Sequence, residues 1–238
     1  EEYSKNHIPG AIFFDLDKNS DQDTDLPHML PTKEKWEEIV SSMGISNTDR
    51  IVIYDNSDVL SSCRGWYNFI YFGHDKHLVS VLDGGLKKWL IENRKTTSEK
   101  TILNKSTYRA TENKSLVKNI IEVNENIEKK KFTIIDARSK ERFNGSVPDP
   151  RKNVRSGSIP NSVCLPFKEI INSSDNTFKG VSEISKKFSE IIDLNDDKRV
   201  FSCGSGITAC VLGLAYSLVN NTYSPTVYDG SWAEYGRI

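Results

Sequence analysis

Three segments of this 238-residue chain recur in the same order in its second half, which commits the two halves to one architecture. The segment at residues 7–15 resembles the one at residues 157–165, with Ile8-Pro9 matching Ile159-Pro160 at an offset of 151. Residues 49–55 return as 197–203 at an offset of 148, so Asp49 matches Asp197 and Asp55 matches Cys203. Residues 79–85 return as 225–231 at 146, both carrying Asp-Gly, at Asp83-Gly84 and Asp229-Gly230. An offset that shrinks by a few residues is what a duplicated domain with trimmed loops gives. Each half is long enough to bury a core.

Short β-branched runs alternate with helical patterns in both halves. Residues 51–54, 132–135 and 200–202 read as buried parallel strands. Residues 33–43 set Trp36, Ile39, Val40 and Met43 at helical spacing, and residues 181–192 do the same with Ile184, Phe188, Ile191 and Ile192. The fold class is therefore α/β, with a parallel sheet flanked by helices in each half. The stretch around residues 94–115 is rich in Lys, Thr, Asn and Ser. This puts the domains at 1–95 and 116–238, joined by a linker at 96–115. In the second half, Asp136 of the opening strand lies 23 residues before Ile159. The same distance before Ile8 falls ahead of residue 1. The first domain is expected to lack its opening strand, through truncation at the N-terminus.

With 32 Lys and Arg against 33 Asp and Glu, the net charge of −1 provides no global field for nucleic acid. The most apolar stretch, residues 209–219, is far short of the ~20 residues a bilayer span needs, so no membrane partner is expected. Four cysteines, Cys63, Cys164, Cys203 and Cys210, are too few for a disulfide scaffold and lack Cys-x-x-Cys spacing for zinc. A reducing compartment follows, the cytoplasm first, with the mitochondrial matrix as the alternative.

The chemistry concentrates in residues 199–216, where a short strand runs into Cys203-Gly-Ser-Gly-Ile-Thr208 and then an apolar helix. A cysteine at the carboxyl end of a parallel strand, beside a helix N-terminus, sits where open α/β sheets place their sites. Gly204 and Gly206 let backbone N–H groups converge, which favours a thiolate or a bound anion. A buried structural cysteine is the plain alternative. A phosphatase loop of the Cys-x5-Arg type needs an arginine where this chain has Ala209. Cys210 is expected to be core, two helical turns beyond Cys203.

This loop resembles that of the 3-mercaptopyruvate sulfurtransferases, and the chain resembles the tandem rhodanese-domain sulfurtransferases over nearly its whole length. His7-Ile-Pro-Gly, Phe72-Gly-His74, Val81-Leu-Asp-Gly-Gly85 and Tyr228-Asp-Gly-Ser-Trp232 carry the likeness along with the loop. The resemblance implies two rhodanese-like domains, the first catalytically silent with Asp55 in the cysteine's place. It makes Cys203 the nucleophile, which takes sulfur from 3-mercaptopyruvate as a persulfide and releases pyruvate. Thiol acceptors, a small thiol or a thioredoxin-like protein, or cyanide then remove the outer sulfur, with no metal and no organic cofactor. Gly204, Gly206, Ile207 and Thr208 cradle the sulfur.

By resemblance, Arg142 and Arg151, the latter in Pro148-Asp-Pro-Arg151, bind the donor, and Arg64 is a weaker candidate from the first domain. Arg138 is expected to support the fold. A Ser-His-Asp relay maps to Ser205, His28 and Asp17, the last two in the first domain, so it requires an interdomain cleft. Read without the resemblance, these arginines are surface residues and His28 and Asp17 are loop residues. Three alternatives stay open: a thiosulfate sulfurtransferase, disfavoured by the absence of Lys or Arg between Cys203 and Cys210; a non-catalytic rhodanese sulfur carrier or binding module; and, remotely, a cysteine phosphatase.

Overall fold

The computed structural model describes residues 2–195 and 198–238; Asp197, the counterpart of Asp49 in the repeat, lies outside the described residues. The first half carries α1 (Glu2–Lys5), α2 (Lys33–Ser42), β1 (Ile51–Ile53), α3 (Ser62–Tyr71), β2 (Val79–Val81) and α4 (Gly85–Ile91). The second carries β3 (Val117–Lys118), α5 (Ile120–Lys129), β4 (Thr133–Asp136), α6 (Lys140–Phe143), β5 (Val163–Cys164) and α7 (Val181–Ser189). It closes with β6 (Arg199–Ser202), α8 (Ile207–Asn220), β7 (Val227–Tyr228) and α9 (Ser231–Tyr235). In the first half β1 pairs with β2 in parallel. The second-half sheet runs β3-β7-β6-β4-β5 with every neighbour parallel, as the alternation of strand and helix requires.

Local chemistry sets these boundaries. The central strands β4 and β6 are buried along nearly their whole length, which suits their continuous apolar runs. Thr32 caps α2 by accepting from the Lys35 N–H, and the expected apolar stripe of Trp36, Ile39 and Val40 is buried. The helix stops just before Gly44, whose φ of +75° is left-handed. α7 ends at Ser189, short of residue 192, because the N–H groups of Ile191 and Ile192 both turn back to the Phe188 carbonyl. α8 is apolar on all sides because it lies between α3, α7 and the sheet.

The halves differ where β4 lies. Ile134 of β4 lies beside Val200, which is 1% exposed, whereas Val52, the repeat counterpart of Val200, is 56% exposed. Beside β1, between residues 10–14 and 51–54, runs a cleft of about 650 Å³. Among the described residues the first half has no strand in the place of β4. Residues 96–113 cross the first half as irregular backbone and run into a 3-10 turn at Lys114–Leu116. Thr97 bridges to His7, Asn47 holds the Arg109 backbone through both its amide atoms, and Tyr108 is buried and stacked on His74.

The two halves meet reciprocally, with α3 packed on α8. Asp229 Oδ2 accepts from the Leu30 N–H at 2.8 Å, and Asp83 Oδ1 accepts from the Phe178 N–H at 2.8 Å. The two aspartates are repeat counterparts, so Leu30 and Phe178 hold equivalent places in the two contacts. At the rim Asp25 pairs with Arg237 and Asp175 with Lys88. The crossing loops even share a backbone feature, since His28 (φ 63°) and Asn176 (φ 61°) are both left-handed. Among the described residues no helix is long and apolar enough to cross a membrane.

Candidate active site

Cys203 stands at the carboxyl end of β6, and the loop after it closes on α8 through Gly206, whose φ of +79° only glycine adopts without strain. A Cβ at position 206 would also stand 2.8 Å from Arg64 Nη1. Gly204 serves close approach: a Cβ there would lie 3.2 Å from both terminal nitrogens of Arg151 and 3.4 Å from Arg142 Nη2. The Ser205 N–H points at Cys203 Sγ at 3.5 Å, and Ile207 and Thr208 form the half-buried first turn of α8. Helix N-terminus, loop N–H and two guanidiniums thus gather beside the cysteine loop, a setting that suits an anionic ligand.

The other thiols are unsuited to nucleophilic work. Burial pushes Cys63 well up and Cys210 and Cys164 to about 12, which keeps all three protonated at neutral pH. Cys210 Sγ donates to the Gly206 carbonyl and is core.

Ser205, His28 and Asp17 form a continuous chain. Ser205 Oγ lies 2.9 Å from His28 Nδ1, and His28 Nε2 lies 3.1 Å from Asp17 Oδ1. A carboxylate only accepts, so Nε2 carries the imidazole proton and Nδ1 accepts from the serine hydroxyl. Burial is the main cause that lowers the His28 pKa, helped by Arg64 and Arg151 and opposed by Asp17. The imidazole is thus neutral at neutral pH. Asp17, 81% exposed, carries the chain to solvent.

Arg142 and Arg151 converge on one carboxylate. Ser139 caps the single turn of α6 and so fixes Arg142, whose Nη2 lies 2.7 Å from Asp149 Oδ2. Arg151 Nη1 lies 3.5 Å from Asp149 Oδ1, which also accepts from the Arg151 N–H at 3.0 Å. The Asp149 side chain is 2% exposed; burial raises its pKa, but the bonds from Arg142 and Arg151 outweigh that and leave it below the usual value. Both arginine side chains are more than a quarter exposed, and Arg142 Nε–H has no acceptor among the described residues.

A family model for the rhodanese-like domain matches residues 1–92 and 120–237. The chain belongs to the rhodanese family. It is 40% identical over 257 residues to thiosulfate/3-mercaptopyruvate sulfurtransferase 1, mitochondrial, of Arabidopsis thaliana, with 99% of this chain and 66% of that protein covered. It is 39% identical to the 3-mercaptopyruvate sulfurtransferase of Mus musculus, covering 98% of this chain and 78% of that one. The crystal structure of SseA from Escherichia coli, a 3-mercaptopyruvate sulfotransferase, superposes with a TM-score of 0.83 at 32% identity, covering 96% of this chain and 84% of that one. Two rhodanese-like domains, the expected α/β fold and kinship with sulfurtransferases therefore stand together.

In this rhodanese, Arg64 is not the donor ligand that sequence suggests. It is fully buried in α3, its Nη1 2.7 Å from Asp229 Oδ1, its Nη2 donating to the His28 carbonyl at 2.7 Å and its Nη1 to the Gly206 carbonyl at 3.5 Å. Burial opposes its charge, yet Asp229 outweighs this and raises its pKa. Arg64 ties the His28 loop of one half to the cysteine loop of the other. Asp229 and Ser231 also escaped the sequence reading. Ser231 Oγ accepts from the N–H groups of Cys203 (3.1 Å) and Gly206 (3.2 Å) and donates to the Tyr228 carbonyl. Its φ of 49° is left-handed where its repeat counterpart is Gly85 (φ 53°), a strain accepted because the hydroxyl clasps the loop. The signal was present in the sequence as the repeated Asp83-Gly-Gly and Asp229-Gly-Ser. Asp55, in the cysteine's place in the first half, accepts from the Ser62 N–H and from the Ser57 and Ser61 hydroxyls as a loop cap. Arg138 is bidentate on buried Asp136 and lies over Trp232, a fold support.

Proposed function

We propose that this rhodanese takes sulfur from 3-mercaptopyruvate through a Cys203 persulfide and passes it to a thiol, small or carried by a thioredoxin-like protein, or to cyanide. The observation that carries the reading is the loop: Cys203-Gly-Ser-Gly-Ile-Thr208 is uncharged, and its cations arrive from outside as the Arg142 and Arg151 pair packed against Gly204. Such a fork matches a single carboxylate bidentately. With the donor carboxylate on Arg142 and Arg151, the Cys203 thiolate attacks the donor sulfur, and the carbon–sulfur bond breaks to release the pyruvate enolate. The donor S–H proton passes to the enolate carbon through the Ser205 hydroxyl, with neutral His28 accepting and returning it and Asp17 orienting the ring. The Ser205 N–H and the N–H groups that open α8 hold the persulfide charge, the Gly206 N–H being taken by Ser231 Oγ, and the thiolate and the donor thiol become one persulfide anion and one pyruvate, so the step balances. The reading places the protein in a reducing compartment, cytoplasm or mitochondrial matrix.

The test is a paired steady-state assay with 3-mercaptopyruvate and with thiosulfate, cyanide being the acceptor. Preference for mercaptopyruvate in kcat/KM is expected. Preference for thiosulfate overturns the donor assignment, and turnover of neither moves the protein to a sulfur carrier or binding module.

The relay predicts a pH signature. A neutral imidazole is the working form, and its lowered pKa keeps it neutral to below the ordinary value of about 6.5, so the acid limb of kcat/KM falls below that pH. The same depression makes the His28 contribution to stability present above that pH and lost as pH falls through the lowered value. His28→Asn, which suits the left-handed backbone, is expected to slow turnover about 10²-fold and to remove this acid limb. A variant that keeps both the rate and the limb rules the relay out.

A further inference from the structure

We infer that Asp149 sets the donor site to a net charge of +1 and thereby selects singly charged carboxylate donors over dianions. The inference rests on the sulfur-transfer reading above and adds the residue that determines donor charge. Around Cys203 the fixed charges are few. Arg64 and Asp229 cancel one another as a buried pair. His28 is neutral, and the loop from Cys203 to Cys210 carries no charged side chain. Asp17, mostly in water, is screened. Apart from the nucleophile itself, what remains of these side chains is Arg142 and Arg151, two positive charges, against Asp149, one negative charge in contact with both.

Asp149 is not a surface counter-ion. Its side chain is 2% exposed, it is ionised, and both its oxygens are engaged, Oδ2 by Arg142 Nη2 and Oδ1 by the Arg151 N–H and Nη1. The two guanidiniums in turn reach Gly204, next to the nucleophile. A donor seated on them therefore lies close to the Asp149 charge at reduced dielectric. The carboxylate of 3-mercaptopyruvate neutralises the residual +1. Thiosulfate, a dianion, leaves an excess negative charge beside a cysteine thiolate, and each extra charge within a few ångströms changes affinity by about tenfold or more at this kind of site.

Donor discrimination in Asp149→Asn tests this. The amide keeps the size and the acceptor for the Arg151 N–H, gives up the acceptor that faces Arg142 Nη2, and raises the site to +2. The ratio of kcat/KM for 3-mercaptopyruvate to that for thiosulfate is expected to fall by about tenfold, less at high salt. Asp149→Glu, which keeps the charge, leaves the ratio near that of the unmodified protein. An unchanged ratio in Asp149→Asn, or an equal loss on both donors, overturns the inference and makes Asp149 only a positioning residue for the arginines. Should that variant not fold, inhibition of the unmodified enzyme decides: pyruvate is expected to bind more tightly than the dianion malonate, and the reverse order overturns the proposal. Failure of the underlying reading is distinct, since it appears as absent mercaptopyruvate turnover in the unmodified protein.

Discussion

Replacement of Cys203 by serine is expected to lower sulfur transfer by at least about 10⁴-fold with every donor, while leaving the fold intact. A hydroxyl is far too basic to ionise where a thiol does, and oxygen cannot hold a transferable sulfur as a persulfide does. The loop tolerates the change because Cys203 is held through its backbone: its N–H donates to Ser231 Oγ and its carbonyl accepts from the Trp232 N–H. Mass spectrometry supplies the second readout. The unmodified protein, given 3-mercaptopyruvate without an acceptor, gains one sulfur atom on the peptide that contains Cys203; the serine variant gains none. Sulfur on Cys63, Cys164 or Cys210 instead would overturn the assignment. The raised pKa values of all three thiols argue against that outcome.

The second large effect belongs to Arg64. Arg64→Met is expected to cost about 3–5 kcal/mol in urea unfolding, because it strands Asp229 as a buried carboxylate whose remaining partner is the Leu30 N–H. Turnover should fall as well, since the same guanidinium holds the His28 carbonyl and the Gly206 carbonyl. The double variant Arg64→Met with Asp229→Leu is expected to recover only part of the loss. It removes the stranded charge but leaves the Leu30 N–H without an acceptor. A loss below about 1 kcal/mol in the single variant would place Arg64 among ordinary surface ion pairs and refute its role as an interdomain tie.

Much of this architecture can be read in the sequence because it repeats. Ile51 and Val200 lie in continuous β-branched runs, Trp36 and Phe188 keep helical spacing, and all four are buried where the pattern puts them. The cysteine loop is legible for another reason: its glycines are demanded by geometry, Gly206 by its φ and Gly204 by the guanidiniums beside it. What stays hidden depends on burial and on distant pairing. Arg64 looks like any arginine in sequence, and only the packing of α3 on α8 turns it from a donor candidate into an internal strut. Ser231 is half-hidden: the repeat sets it against Gly85 and so marks its left-handed backbone, but its clasp on two N–H groups leaves no local signature. The polar composition of residues 96–115 gives no sign that Tyr108 stacks on His74 inside the first half.

The reciprocal bonds of Asp83 to Phe178 and Asp229 to Leu30 have the form of an isologous contact, in which one surface binds its own copy. Two separate copies joined that way would build two equal clefts, each needing the nucleophile and the histidine in the same sequence, and would fall apart on dilution. Covalent linkage removes both constraints. Assembly no longer depends on concentration, and each copy is free to keep half of the equipment: the Cys203 loop meets His28 through Ser205 at one contact, while Asp55 stands in the place of Cys203 at the other, and Asn176 lies two residues before Phe178 as His28 lies two before Leu30. The chain is a symmetric dimer in its bonding and a monomer in its chemistry, which lets one set of substitutions tune a single working cleft without a second, identical one having to tolerate them.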